Sequence, residues 1–235
     1  METIRVENFE LPDGSIYSGE CIKINSLIEL KGQGQILYPN GDKYIGEFDG
    51  GNVRGYGKYL FSDGDIHYGH FYDGIPNGIG YLNKHYSMCM GNFSNGLLNG
   101  WALRINNYDN FGWWEEGTLI KDEVTNIEWV FEMIRTVKFN KSLAPIFKNG
   151  MFGFGVHKNI PNRFFYYYGI LFLIDGGVFV GQIIDYKKTG YCVFYKSNGE
   201  IEYAKYLCDE IIEESNSELV RINNIHFTNP LIYFQ

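Results

Sequence analysis

Apolar and polar residues alternate with period two over short runs. Tyr44, Gly46 and Phe48 fall on one side of such a run, and Gly55, Gly57, Tyr59 and Phe61 do the same in the next. Ile45, Glu47, Tyr56 and Lys58 then face the other way. Asp-Gly or Asn-Gly pairs at 13-14, 40-41, 49-50, 63-64, 73-74, 95-96, 175-176 and 198-199 punctuate the runs. Such pairs tolerate the positive φ of tight turns, so the pattern predicts consecutive β-hairpins, with a bulge or longer turn around Asp49 to Arg54.

The hairpins repeat. Gly46, Gly55, Gly57 and Gly64 return as Gly69, Gly78, Gly80 and, after one deletion, Gly91 and Gly100, an interval of about 23 residues. The frame extends back to Gly32, Gly34 and Gly41 and reappears downstream, where Gly176 to Gly199 spans the same interval. A glycine inside a strand marks close approach of another group, here an aromatic ring lying across the bare backbone from a neighbouring strand.

Tyr44-Ile45-Gly46-Glu47-Phe48, Gly55-Tyr56-Gly57-Lys58-Tyr59 and Asp63-Gly64 resemble the MORN (membrane occupation and recognition nexus) repeat, as do His67 to Lys84 and Phe179 to Gly199. The resemblance covers about 13 to 117 and about 148 to 206, and decays where Cys89 takes the tyrosine position and Ala102 the second glycine. It implies an all-β chain, an elongated single-layer antiparallel sheet of hairpins whose units touch only their neighbours. Family members serve as scaffolds, protein-binding modules or membrane-proximal adaptors, and the repeat itself carries no catalysis. Some carry a methyltransferase SET domain, for which fewer than thirty residues after Tyr206 are too few.

The interval between the blocks has a different period. Thr125 to Glu128 reads as a capping box, and Ile127, Val130, Phe131, Ile134 and Val137 follow at helical spacing, with Trp129 and Met133 widening the apolar face. The expected organisation is therefore a repeat block over 1–121, a helical insertion over 122–147, a second block over 148–206 and a capping tail over 207–235, the two blocks forming one nearly continuous ribbon. The apolar run Phe164 to Ile174 is about half the length needed to span a bilayer and is expected as one or two buried strands.

Composition narrows function by exclusion. A net charge of -8 disfavours both phosphate backbones and anionic lipid surfaces, so no nucleic-acid partner is expected and a membrane or phosphoinositide adaptor remains the alternative reading. The amino terminus is mixed and charged, unlike a signal peptide. Cys21, Cys89, Cys192 and Cys208 form neither a CxxC pair nor a disulfide framework, which suits free thiols and a cytoplasmic location. His67 and His70 fall on opposite faces of one strand and cannot share a metal, no phosphate-binding GxxxxGK[ST] occurs, and Glu115 with Glu116 reads as a solvated turn. No cofactor, metal or catalytic residue is expected.

What remains is a surface. The residue between each unit's paired glycines points away from the aromatic-glycine face, giving Gln33, Tyr56, Ile79 and Trp101, then Tyr191, flanked by Lys58, Tyr81 and Leu103. Large apolar side chains there need a cover, either the helix or an unidentified protein partner. The candidate partner-binding residues are Tyr56, Ile79, Tyr81, Trp101, Leu103, Trp129 and Met133. The expected role is a non-enzymatic interaction or scaffold module.

Overall fold

The computed structural model describes residues 2–24, 27–106, 108–123, 146–148, 151–160, 163–184 and 187–215, with the backbone alone for 146–148 and 151–168. The helix expected near 125 to 139, with Trp129 and Met133, and the tail from 216 lie outside the described residues. Within them the chain is all-β.

The strands are β1 (Glu2–Glu10), β2 (Ile16–Ile24), β3 (Leu27–Leu37), β4 (Lys43–Asp49), β5 (Asn52–Leu60), β6 (Ile66–Tyr72), β7 (Ile75–Lys84), β8 (Ser87–Ser94) and β9 (Leu97–Ile105). They continue as β10 (Asn110–Glu115), β11 (Thr118–Asp122), β12 (Ile146–Lys148), β13 (Met151–Ile160), β14 (Arg163–Phe172), β15 (Val178–Ile184), β16 (Lys187–Tyr195), β17 (Ile201–Leu207) and β18 (Glu210–Glu214). Each strand pairs with its neighbours in sequence, in one eleven-stranded sheet from β1 to β11 and one seven-stranded sheet from β12 to β18. The interval between the two sheets, 124–145, lies outside the described residues. Two compact units are formed, Met1–Asn99 with Arg104–Tyr108, and Gly100–Leu103 with Asp109–Gln235.

In unit 1 the glycines fall opposite one another. Gly19, Gly34, Gly46, Gly57, Gly69, Gly80 and Gly91 pair in succession from β2 to β8. A side chain on this line would collide with the core: a Cβ on Gly34 would stand 2.4 Å from the Tyr17 hydroxyl, and one on Gly57 2.3 Å from that of Tyr44. The rings therefore lie flat across the glycines, and their hydroxyls donate to main-chain carbonyls, Tyr17 to Glu20 at 2.6 Å and Tyr44 to Glu47 at 3.2 Å. Burial without hydrogen bonding would leave these hydroxyls unsatisfied.

The same face carries a ladder of rings meeting edge to face, Tyr17–Phe48–Tyr44–Phe71–His67–Phe93, with centroids 5.0 to 5.3 Å apart and interplanar angles of 80 to 90°. This is the favoured geometry for aromatic quadrupoles. Leu30, Ile36 and Val53 complete the core.

The turns are equally regular. Asp13, Asn40, Asp63, Asp175 and Asn198 each accept, through a side-chain oxygen, the amide two residues on, at 2.9 to 3.0 Å. At the opposite ends, Asp73-Gly74 and Asn95-Gly96 have positive φ at both residues, the tight turn that matches strand twist. Hairpin tips also bond to the preceding hairpin, Gly51 to the Leu30 carbonyl, Gly74 to Val53 and Gly96 to Pro76.

Unit 2 repeats the scheme with substitutions. Gly155, Gly169 and Gly181 pair in succession. Cys192 takes the next glycine position, its Sγ 2.6 Å from where a Cβ on Gly181 would stand, and pairs with Ala204. Burial pushes the Cys192 thiol up to about 12, so it serves as a small packing residue. Phe179 replaces the repeat tyrosine and meets Tyr206 edge to face at 6.0 Å. The apolar run from Phe164 lies in β14, where Ile170, Leu171 and Phe172 are buried, while Ile174 is exposed in the turn that follows. β18, at the start of the expected capping tail, pairs with β17.

Candidate functional site

The face of unit 1 opposite the ring ladder is free of the repeat's own core requirement. The register sets two rows on it. In the first, Ser18, Gln35, Ile45, Lys58, Tyr68, Tyr81 and Met90 are consecutive cross-strand partners from β2 to β8. In the second, Gln33 pairs with Glu47, Tyr56 with His70, and Ile79 with Asn92. The expected row of Gln33, Tyr56 and Ile79 therefore occupies every second strand, with Glu47, His70 and Asn92 interleaved.

Two of the interleaved polar residues, Glu47 and His70, serve a purpose that the sequence reading missed. The hairpins β2–β3, β4–β5 and β6–β7 each carry a register shift just after their first glycine, and the strand opposite has a glycine in the left-handed region, Gly32 (φ 85°), Gly55 (φ 91°) and Gly78 (φ 101°). Glu20 folds over Gly32 and accepts the Gln33 amide at 3.0 Å, and Glu47 folds over Gly55 and accepts the Tyr56 amide at 3.3 Å. In the next unit His70 takes the role, donating from Nδ1 to the Asn77 carbonyl at 2.7 Å. A polar residue directly after the first glycine of each frame, Gly-Glu, Gly-Glu, Gly-His, was the available signal.

The candidate residues separate by burial. Tyr56 and Tyr81 are half-buried, and burial raises the phenol pKa of both. Ile79 is buried at 4% exposure. Trp101 and Leu103, at 1% and 0%, belong to unit 2. There Trp101 stacks on Phe111 at 5.8 Å, packs on Tyr195 at 4.8 Å and donates from Nε1 to the Lys196 carbonyl at 2.8 Å. Its cover comes from the second block of repeats, 95 residues along the chain.

At the β1 end of the first row, where β1 has a bulge between Val6 and Phe9 and Asn8 has φ 52°, the face dips into a hollow of about 490 Å³. Arg5, Glu7, Asn8, Ser18, Gln33, Gly34, Gln35 and Ile45 line it. Asn8 is anchored by its amide, which donates to the Ser18 hydroxyl at 2.9 Å. Arg5, Lys43 and Lys58 on this face have no ion-pair partner among the described residues, whereas Lys31 and Arg54 share Asp49.

Among the described residues, no group of three or more histidine, cysteine or acidic side chains could hold a metal, and no helix is long and apolar enough to cross a membrane. His67 is in the ring ladder and His70 on the opposite face, bonded to Asn77 and edge to face with Tyr56 at 5.3 Å, so the two do not converge. Glu115 ends β10 and Glu116 sits in the following turn with φ 46°, both exposed.

Open antiparallel sheets of hairpins with a glycine line, a ring ladder and capped bulges define a hairpin-repeat protein. The MORN repeat family model matches residues 44–66 and 179–201, one stretch in each unit. The chain carries MORN repeats in both stretches. No curated protein matches it. MORN repeats are protein- and membrane-interaction modules.

Proposed function

We propose that the chain is a non-enzymatic interaction module or scaffold that presents the tyrosine-bearing face of unit 1 to another protein in the cytoplasm. One observation carries this reading: Lys58, Tyr68 and Tyr81 are in register on the face that the repeat does not use for its own core, with the Tyr56–His70 pair beside them. Tyrosine supplies large contact area at a small cost in side-chain entropy, which is why it anchors interfaces. The four free cysteines support the cytoplasmic assignment.

Affinity capture from the native cell with the wild-type chain and with a Tyr56→Ser, Tyr81→Ser variant tests the proposal. A recurring stoichiometric protein is expected with the wild type and is lost with the variant. Retention of that protein by a folded variant would place binding elsewhere. Liposome co-sedimentation tests the alternative of a membrane adaptor, because retention that grows with anionic lipid and falls with salt would favour it.

A further inference from the structure

Strand β6 carries an imidazole at a position that the earlier units fill with a phenol. His67 follows Tyr44 by 23 residues and takes its place in the ring ladder, 1% exposed, with Phe71 and Phe93 edge to face on either side at 5.0 and 5.1 Å. It lies across Gly80, where a Cβ would stand 2.8 Å from Cε1 and Nε2. Neither ring nitrogen has a hydrogen-bond partner among the described residues. In its row β5 presents Tyr59, β7 presents Leu82, and β8 presents Cys89 one strand further on, with Arg104 and Lys84 as the cations beside that thiol. Burial raises the pKa of both the Tyr59 phenol and the Cys89 thiol, so neither ionises below pH 7. The Asp42 carboxylate, desolvated but holding the Tyr59 hydroxyl and the Ser62 amide at 2.8 Å, ionises below its ordinary value and is taken up by those bonds. From β4, Tyr44 meets Phe71 and gives its hydroxyl to the Glu47 carbonyl.

We infer that His67 is an acid-sensitive latch, whose protonation opens unit 1 along the β6–β7 seam ahead of the rest of the sheet. The imidazolium brings a charge and two N–H donors into a slot walled by ring carbons and the Gly80 backbone, with no acceptor in hydrogen-bond reach. Tyr17 and Tyr44 place a hydroxyl bonded to a carbonyl at this point, so their units carry no such liability. Burial holds the His67 pKa down, from 6.5 to about 4, so the closed seam refuses a proton that the open seam accepts, and opening is favoured as the pH falls through that window. Because each hairpin unit touches only its neighbours, one seam can open while the others stay paired. The same seam carries the Tyr68–Tyr81 cross-strand pair on the opposite face, so acid would also take apart the surface proposed for a partner. That consequence rests on the interaction-module reading; the latch itself does not.

Hydrogen–deuterium exchange of the full chain at pH 7 and pH 5, each amide referred to its intrinsic rate, tests the latch. Between those values the protection of β6 to β8 is expected to fall roughly twentyfold, the factor imposed by a pKa of 6.5 when open and about 4 when closed, while β2 to β4 keep theirs. His67→Tyr, which restores the residue of the earlier units, and His67→Phe, which removes the titration without adding a hydroxyl, are both expected to abolish the fall. Ring-proton NMR of the wild type gives a reading that needs no variant, with a His67 midpoint near 4 expected. A uniform loss of protection across unit 1, unchanged protection of β6 to β8, a fall that persists in a folded variant, or a midpoint near 6.5 would each overturn the inference and leave the interaction-module reading standing.

Discussion

His67 shows what one residue of the repeat contributes. It stands where Tyr17 and Tyr44 stand in earlier units, 1% exposed, between Phe71 and Phe93 and across Gly80. The tyrosines reach a carbonyl three residues on, but neither His67 ring nitrogen has a hydrogen-bond partner among the described residues. Burial holds its pKa down, from 6.5 to about 4. The unfolded chain therefore binds an extra proton between those values, so stability is full above pH 6.5 and is lost as the pH falls through 6.5 toward 4, by roughly 3 kcal/mol. His67→Tyr is expected to flatten that acid limb and to add about 1 kcal/mol through the restored hydroxyl-to-carbonyl bond. Urea melts of both proteins at pH 7 and pH 5 check it. An equal loss in the two would mean that other groups carry the acid sensitivity.

At the scale of the element, the glycine line and the rings across it are one structural device. Gly57 pairs with Gly46 and Gly69 and carries no positive φ, so alanine meets no backbone penalty there, yet its Cβ would lie 2.3 to 2.4 Å from three atoms of the buried Tyr44 ring. Gly57→Ala is expected to cost roughly 2–4 kcal/mol by expelling that ring. Gly64→Ala, in a turn with φ 95° and open space around it, is expected to cost only about 1 kcal/mol from the backbone. Thermal melts of the two variants compare them, and the reverse order would refute the ring-on-glycine account.

This device was legible in the sequence because glycine and aromatic recur at fixed intervals, and strand alternation puts both on one face. The bulge caps were harder to see. Glu20 and Glu47 look like ordinary solvent-facing strand residues until the register shift brings Gly32 and Gly55 beneath them. Asp42 likewise joins two turns: its carboxylate accepts the Ser62 amide and the Tyr59 hydroxyl, both at 2.8 Å. Its desolvation opposes ionisation, but those bonds together hold its pKa below the ordinary value. Asp42 and Ser62 are 20 residues apart, and no local pattern signals their meeting.

Over the whole molecule, what could be read depended on whether contacts stay between sequence neighbours. The ring ladder obeys that rule. Trp101 does not, because its stacking and hydrogen bonding join β9 to the end of β16 and the turn after it within unit 2, and the repeat frame carries no information about a partner so distant. Lys188 is a second departure. It stands where the frame has Val53 in unit 1, and its ammonium lies over the rings of Phe179, Phe194 and Tyr206 at 5.8, 4.7 and 5.1 Å. A long side chain can pack its stem on aromatic surface while its charge faces the rings.

The strict neighbour-to-neighbour pairing from β1 to β8 also fixes how unit 1 answers to mechanical load. With no strand inserted between sequence neighbours, tension applied at Glu2 and Ser94 first loads the edge ladder between β1 and β2, whose bonds break one after another rather than in parallel. The unit should peel from an edge at low force, releasing one repeat of about 23 residues, roughly 8 nm of chain, per step. Optical-trap extension with handles at those two positions would show the staircase, whereas a single high-force rupture would mean that the repeats yield together.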